Sequence, residues 1–166
     1  MKSGLYVPSG LIVYLVVTWL LQATAHAKAV KSADALVFGP TAVVRWLLVA
    51  LILGFAGATI YVSVTPPPSL AGAIIFGLIS IAGTLAFPSD VLVSRTGVAE
   101  VKWWGGRTAI SWKDVTKIVY HKGPATTVVV SKEGSKVVHS GWNRDTNGFL
   151  ESCEEKTGLS PTTSEM

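Results

Sequence analysis

Long apolar stretches dominate the first half of the chain. Residues 5–23, 46–64 and 70–87 each extend for 18 or 19 residues without a charged side chain. An α-helix rises 1.5 Å per residue, so each stretch would form a helix of about 27–28 Å, close to the roughly 30 Å hydrocarbon core of a membrane. The pattern therefore predicts a transmembrane region over residues 1–90 that contains three helices.

The second and third apolar stretches are predicted to form an antiparallel hairpin. Only residues 65–69 separate them, and the three prolines in this segment cannot continue a helix. Gly39 and Pro40 predict the start of the second helix, because proline is favoured in the first turn. Small side chains four residues apart allow two helix backbones to approach closely. The predicted packing residues are Gly54, Ala58, Ala73 and Gly77.

The first apolar stretch permits two interpretations. Lys2, the apolar residues and the small-residue triplet 25–27 are together typical of a cleaved secretory signal peptide. The loop charges favour a retained helix with its N-terminus outside, because Lys28, Lys31 and Arg45 then lie on the cytoplasmic side, as the positive-inside rule requires. In this second arrangement, we expect a multi-pass protein of the cell (inner) membrane with a cytoplasmic C-terminal domain.

Beyond residue 90 the pattern changes to short runs typical of β-strands. Each run is ended by a turn signal such as Thr96-Gly97 or Gly105-Gly106. Six such runs at a spacing of about ten residues are typical of an antiparallel meander. The predicted strands are residues 91–94, 98–104, 108–112, 115–120, 126–131 and 136–140. We therefore expect an α+β or mostly-β domain, built as a meander or a partly open barrel.

A C-terminal helix is predicted to cap this sheet. Asp145 is a suitable N-cap, because its side-chain oxygen can accept from free N–H groups of the first turn, and Gly158 suits the position just after the helix. Phe149 and Cys153 would then lie on the apolar face that packs against the sheet. Residues 159–166 are predicted to form a flexible tail.

Two segments of the predicted domain combine a basic residue, a strand and a turn. Residues 91–98 are Val-Leu-Val-Ser-Arg-Thr-Gly-Val, and residues 107–115 are Arg-Thr-Ala-Ile-Ser-Trp-Lys-Asp-Val. With the closing helix, they resemble bacterial membrane proteins in which a transmembrane hairpin precedes a pleckstrin-homology-like (PH-like) domain. The resemblance covers residues 36–159. It implies a PH-like domain over residues 91–158 that acts as a scaffold.

The sequence offers no convincing catalytic or metal site. A single cysteine excludes an internal disulfide and every multi-cysteine zinc or iron–sulfur site. His26, His121 and His139 do not have the spacing of zinc ligands. Three glutamates beside Cys153 are expected to raise the pKa of its thiol, which disfavours a nucleophile. We therefore expect no enzyme activity, no catalytic residue, no metal and no cofactor.

Charge is distributed unevenly within the C-terminal half. Residues 91–144 contain nine basic and three acidic side chains, a net charge of +6, whereas residues 145–166 have a net charge of −4. A basic surface is attracted to the anionic lipids of the cytoplasmic leaflet. The candidate contacts for a lipid headgroup or a partner are Arg95, Lys102 and Arg107. Nucleic acid is not an expected partner, because packing accounts better for the neighbouring tryptophans.

These features predict a membrane-anchored scaffold or binding module. Its expected partners are the lipid bilayer and either a second copy of itself, another protein or an anionic lipid. A small transport or channel component is an alternative function, and a membrane enzyme is a further one. A transport path would need ionisable groups within the membrane, and the three apolar stretches have none.

Overall fold

The computed structural model describes residues 18, 19, 22, 24, 26–32, 34–123 and 125–164. The predicted helix over residues 5–23 lies almost wholly outside the described residues. Its two interpretations, a signal peptide or a retained helix, therefore both stay open.

Two apolar helices follow, α1 (Ala42–Val64) and α2 (Leu70–Leu85). Among the described residues, α1 is the one helix that is both long and apolar enough to cross a membrane. Helix α2 is apolar, but its 16 residues give a length of only about 24 Å. The helix ends before Phe87 because Pro88 follows, and a proline disfavours helical backbone at the residue before it. The described residues thus contain one candidate span where the sequence predicted two.

The start of α1 differs from the predicted one. Thr41 is the N-cap, and its hydroxyl oxygen accepts a hydrogen bond from the N–H of Val44 at 3.4 Å. Threonine is a favoured cap because this bond satisfies a donor of the first turn. Pro40 therefore precedes the cap instead of occupying the first turn.

Helices α1 and α2 pack against each other through a few specific contacts. The rings of Phe55 and Phe76 stack with their centroids 6.2 Å apart. The Ser80 hydroxyl donates a hydrogen bond to the carbonyl oxygen of Ile52 at 3.3 Å. Most of the other large side chains of both helices are exposed. The outward surface of the hairpin is therefore apolar, which is costly in water.

The first sheet, sheet A, has five antiparallel strands in chain order. They are β1 (Val30–Ser32), β2 (Ala35–Phe38), β3 (Asp90–Ser94), β4 (Gly97–Val101) and β5 (Arg107–Ser111). The first two strands precede the helices and were not predicted. Because β2 pairs with β3, the chain that enters α1 and the chain that leaves α2 lie side by side. The sheet domain therefore begins before the helices instead of at residue 91.

The second sheet, sheet B, has the strand order β8-β7-β6-β9. The strands are β6 (Val115–His121), β7 (Thr126–Ser131), β8 (Lys136–His139) and β9 (Thr162–Ser164). A short 3-10 helix at Trp112–Asp114 leads from sheet A into sheet B. Strand β9 pairs in parallel with β6, so part of the predicted tail is an edge strand. This pairing satisfies backbone groups along the edge of β6 that would otherwise need water.

Helix α3 (Thr146–Thr157) confirms the predicted C-terminal helix and both of its caps. The Asp145 carboxylate accepts from the N–H of Gly148 at 3.2 Å, and Gly158 has a left-handed backbone with φ of 68°. The left-handed conformation is one that glycine adopts without steric cost. Phe149 and Cys153 are fully buried in the core, as the apolar pattern predicted.

The core lies between the two sheets and beneath α3. Its buried apolar members from the strands are mainly valines, which suit a pleated and half-buried surface. They are Phe38, Val91, Val93, Val98, Ile110, Val115, Ile118, Val129 and Val137. Within the described residues no strand of sheet A is paired with a strand of sheet B, so the sheets do not close into a barrel. An open sheet domain with a C-terminal helix agrees with the coarser prediction.

Candidate functional site

Three consecutive residues between β8 and α3 join the sheet domain to the rest of the chain. We call Asn143, Arg144 and Asp145 the junction loop. The Asn143 amide donates to the carbonyl oxygen of Ser89, just after α2, at 3.1 Å. Asn143 is fully buried, so this hydrogen bond satisfies a group that water does not reach. The chain leaving the helices is thereby tied to the sheet domain.

Arg144 holds the chain that enters α1. Its Nε donates to the carbonyl oxygen of Gly39 at 3.0 Å, and its Nη2 donates to that of Pro40 at 3.2 Å. The backbone N–H of Arg144 also donates to Gly39, at 3.2 Å. A guanidinium is suited to this task, because its planar fork directs two donors at neighbouring acceptors.

Asp145 holds a third segment while it caps α3. Its Oδ2 accepts from the N–H of Ala29, just before β1, at 3.0 Å. Its other carboxylate oxygen accepts from Gly148. Asp145 has a left-handed backbone with φ of 57°, which aspartate tolerates better than most residues. The junction loop therefore makes hydrogen bonds with three chain segments. These are the segment just before β1, the segment that enters α1 and the segment that leaves α2.

His139 lies directly behind the junction loop. Its Nε2 is 3.1 Å from the carbonyl oxygen of Arg144, and its ring stacks on Phe149 with centroids 4.5 Å apart. The Phe38 ring packs edge-on against the same imidazole, with the ring centroids 6.0 Å apart. Burial removes the ring from water, and this outweighs the favourable hydrogen bond to Arg144, so the pKa of His139 falls to about 4. At neutral pH the imidazole is uncharged and helps to pack the loop.

Glu100 links the two sheets beside the junction loop. One carboxylate oxygen accepts from the Ser89 hydroxyl at 2.8 Å, and the other accepts from the backbone N–H of Val138 at 3.1 Å. Glu100 is on β4 and Val138 is on β8, so this buried side chain joins strands of sheets A and B. Buried carboxylates are stable when their oxygens are paired in this way.

The histidines and the cysteine do not converge on a metal site. Among the described residues no group of three or more His, Cys, Asp or Glu side chains is arranged to hold a metal ion. Cys153 is fully buried, and burial raises the pKa of its thiol to about 12. The direction agrees with the sequence prediction, but the cause is loss of solvation rather than the neighbouring glutamates. Such a thiol is chemically unreactive.

The three predicted contact residues do not share one surface. Arg95 lies in the β3–β4 turn, whereas Lys102 and Arg107 flank the β4–β5 hairpin at the other end of the strands. A five-residue strand is about 17 Å long, so one headgroup cannot bridge the two ends. Asp90 begins β3 soon after α2 ends, so Lys102 and Arg107 occupy the end nearer the helices. The pairing of β3 with β4 and of β4 with β5 decides which end of these strands lies near the helices.

The predicted packing residues of α1 and α2 also divide into two groups. A Cβ atom at Gly77 would lie 3.8 Å from the Thr59 side chain, so Gly77 faces α1. Ala58 and Ala73 are half-buried. Gly54 is exposed, and a Cβ atom there would have no neighbour within 4 Å.

Comparison with known proteins adds no family assignment. No family model matches the chain, and a search of curated proteins finds no match. Function is therefore inferred from the junction loop and the surfaces around it.

Gly39 is expected to be intolerant of a side chain. A Cβ atom at this position would overlap the Asp90 carboxylate, which is paired with the Arg45 guanidinium. Gly39→Ala should therefore displace this ion pair and lower the free energy of unfolding by about 1 kcal/mol. Thermal unfolding in detergent measures the effect. Gly123→Ala is the matched control, because a Cβ atom there meets no neighbour within 4 Å. Equal stability of the two variants would contradict the expectation.

Proposed function

We propose that this protein is a non-enzymatic, membrane-anchored binding module. The apolar hairpin of α1 and α2 inserts into the membrane, and the sheet domain is presented at its surface. The observation that carries the proposal is the junction loop, whose three side chains hold the segments on both sides of the hairpin. A flexible linker would let the domain diffuse, whereas this loop gives it a fixed orientation to the helices.

The proposed topology is multi-pass, with the sheet domain in the cytoplasm of a bacterial cell. The pairing of β2 with β3 supports it, because both ends of the hairpin then lie on the same side of the membrane. The positive-inside rule favours the cytoplasm, since Lys28, Lys31 and Arg45 lie near this end and the 65–69 turn has no charge. Helix α2 would need help from flanking apolar residues or local thinning of the bilayer to cross it.

The domain architecture supports the proposed likeness to PH-like domains. Antiparallel strands form two packed sheets, and a helix follows the last antiparallel strand. Scaffolding is the role that the resemblance implies for such a domain.

The outer face of sheet A supports a binding role. The strand register aligns five apolar residues in one row across the sheet, on the face opposite the core. They are Val30, Val37, Leu92, Ala99 and Ala109. Val30 and Ala109 are exposed at the two ends of the row, Val37 and Leu92 are half-buried, and Ala99 in between is buried. Small apolar side chains of this kind suit contact with another protein surface, including a second copy of the chain.

Two measurements test the anchoring. After extraction of membranes with alkaline carbonate, we expect the full chain to stay in the pellet until detergent is added. Topology reporters placed within residues 66–69 and after Met166 should then report opposite sides, with the C-terminal reporter in the cytoplasm. Both positions lie outside the described helices and strands, whereas a reporter inserted before α1, for example after Lys31, would interrupt β1. Release without detergent, or both reporters on one side, would contradict the proposal.

A further inference from the structure

A cleft lies where the sheet domain meets the helices. It is enclosed by the first turn of α1, the segment after α2 and the β4–β5 hairpin, and it has a volume of about 300 Å³. The residues that give it its chemistry are Arg45, Phe87, Asp90, Lys102 and Trp103. It therefore combines two cations, one carboxylate and two aromatic rings within a small space.

The charges in the cleft favour an anion. The Arg45 guanidinium pairs with Asp90 through Nη2, which leaves further N–H donors of its five for another acceptor. Lys102 is half-buried and makes no ion pair within the described residues, although its Nζ lies 5.2 Å from the centre of the Trp104 ring. Two positive charges therefore face one negative charge. Arginine and lysine in this combination are well suited to a phosphate group.

The cleft lies at the depth expected for lipid headgroups. The indole N–H of Trp103 donates to the carbonyl oxygen of Thr84, in the last turn of α2, at 3.0 Å. This hydrogen bond fixes the β4–β5 hairpin to the end of α2. Phe87 contacts the Trp103 ring edge-on at 6.3 Å. Trp103 and Trp104 are 54% and 51% exposed. Tryptophan is enriched at membrane–water interfaces, because its ring is apolar and its N–H is polar.

We infer that this cleft binds the phosphate of an anionic phospholipid from the leaflet on the domain side. The inference rests on the proposed membrane anchoring, and it names the ligand for one part of the basic surface. Arg45 and Lys102 hold the phosphate, Asp90 orients the guanidinium, and the two tryptophans contact the acyl-chain region beside the headgroup. Arg95, at the opposite end of the strands, takes no part.

Native mass spectrometry of the full chain in detergent tests the inference. The protein is mixed with equal amounts of phosphatidylglycerol and phosphatidylcholine that have the same acyl chains. We expect preferential retention of one phosphatidylglycerol per chain. Arg45→Gln and Lys102→Gln should each lower the preference about fivefold, the factor expected for one cation near a lipid surface. Arg95→Gln removes the same charge from the distant turn and should leave the preference unchanged.

The outcomes separate the lipid site from the anchoring. Equal retention of the two lipids by a chain that stays in carbonate-washed membranes overturns the lipid site alone. The same holds if Arg95→Gln acts as strongly as Lys102→Gln, or if inorganic phosphate displaces the lipid at equal concentration. If Arg45→Gln fails to fold because Asp90 loses its partner, Lys102→Gln decides the result. Recovery of the chain in aqueous extract without detergent overturns both proposals.

Discussion

Replacing Arg144 with alanine is expected to lower the free energy of unfolding by about 3 kcal/mol. The substitution removes two hydrogen bonds from a charged donor to the carbonyl oxygens of Gly39 and Pro40, and each such bond contributes about 1.5–3 kcal/mol. Gly39 and Pro40 are buried, so their carbonyl groups lose these partners in a place that water reaches poorly. Thermal unfolding of the full chain in detergent measures the change.

The loss should also be local. Amide hydrogen exchange around residues 38–41 is expected to quicken in Arg144→Ala, because the segment that enters α1 loses its two side-chain hydrogen bonds to the domain and keeps only the bond from the Arg144 N–H to Gly39. Arg95→Ala is the control, since Arg95 is exposed in a turn far from the junction loop. If the two variants unfold at the same temperature and exchange alike, the junction loop does not hold the domain on the helices.

Acidification is expected to destabilise the protein through His139. Burial lowers the pKa of His139 to about 4, whereas the unfolded chain has the ordinary value of 6.5. The unfolded chain therefore takes up the proton at higher pH than the folded chain does. The contribution of the neutral His139 ring to the free energy of unfolding is therefore fully present above pH 6.5 and is lost as the pH falls towards 4, a change of about 3 kcal/mol.

The groups around His139 leave this direction unchanged. The Arg144 carbonyl and the Asp145 carboxylate favour the protonated ring, but burial outweighs both, and Phe38 and Phe149 cover the ring with apolar surface. Chemical unfolding at pH 7 and pH 4.5 measures the difference. In His139→Gln the difference should shrink by most of the 3 kcal/mol, whereas His121→Gln should keep it. An unchanged acid sensitivity of His139→Gln would contradict the assignment.

Local signals in the sequence predicted the elements whose causes are local. The six predicted strands of the domain correspond to β3–β8, because turn signals, such as the left-handed glycines at positions 105 and 134, separate most of the runs. Helix α3 was predicted with its caps because Asp145 and Gly158 act within one turn of its ends. Strands β1, β2 and β9 were missed because they are short, and because β2 and β9 pair with partners that are distant in the sequence.

The candidate site depended on contacts that no local pattern reveals. Asn143 and Arg144 bind carbonyl groups 54 and 105 residues away, and a short polar run before a helix cap gives no indication of this. Glu100 was read as one acidic position in a basic sheet, yet it is buried and joins the two sheets. The separation of Arg95 from Lys102 is hidden in the sequence for the same reason, since strand direction decides which end of a hairpin lies near the helices.

The pairing of β2 with β3 also sets an order for biosynthesis. Strands β1 and β2 leave the ribosome before the helical hairpin, but β3, which pairs with β2, begins 52 residues after β2 ends (90 − 38). Sheet A can therefore be completed only after α1 and α2 have been made, and a β1–β2 pair alone is marginally stable in water. A chain stalled after α2 would expose an uncovered strand edge to chaperones and proteases.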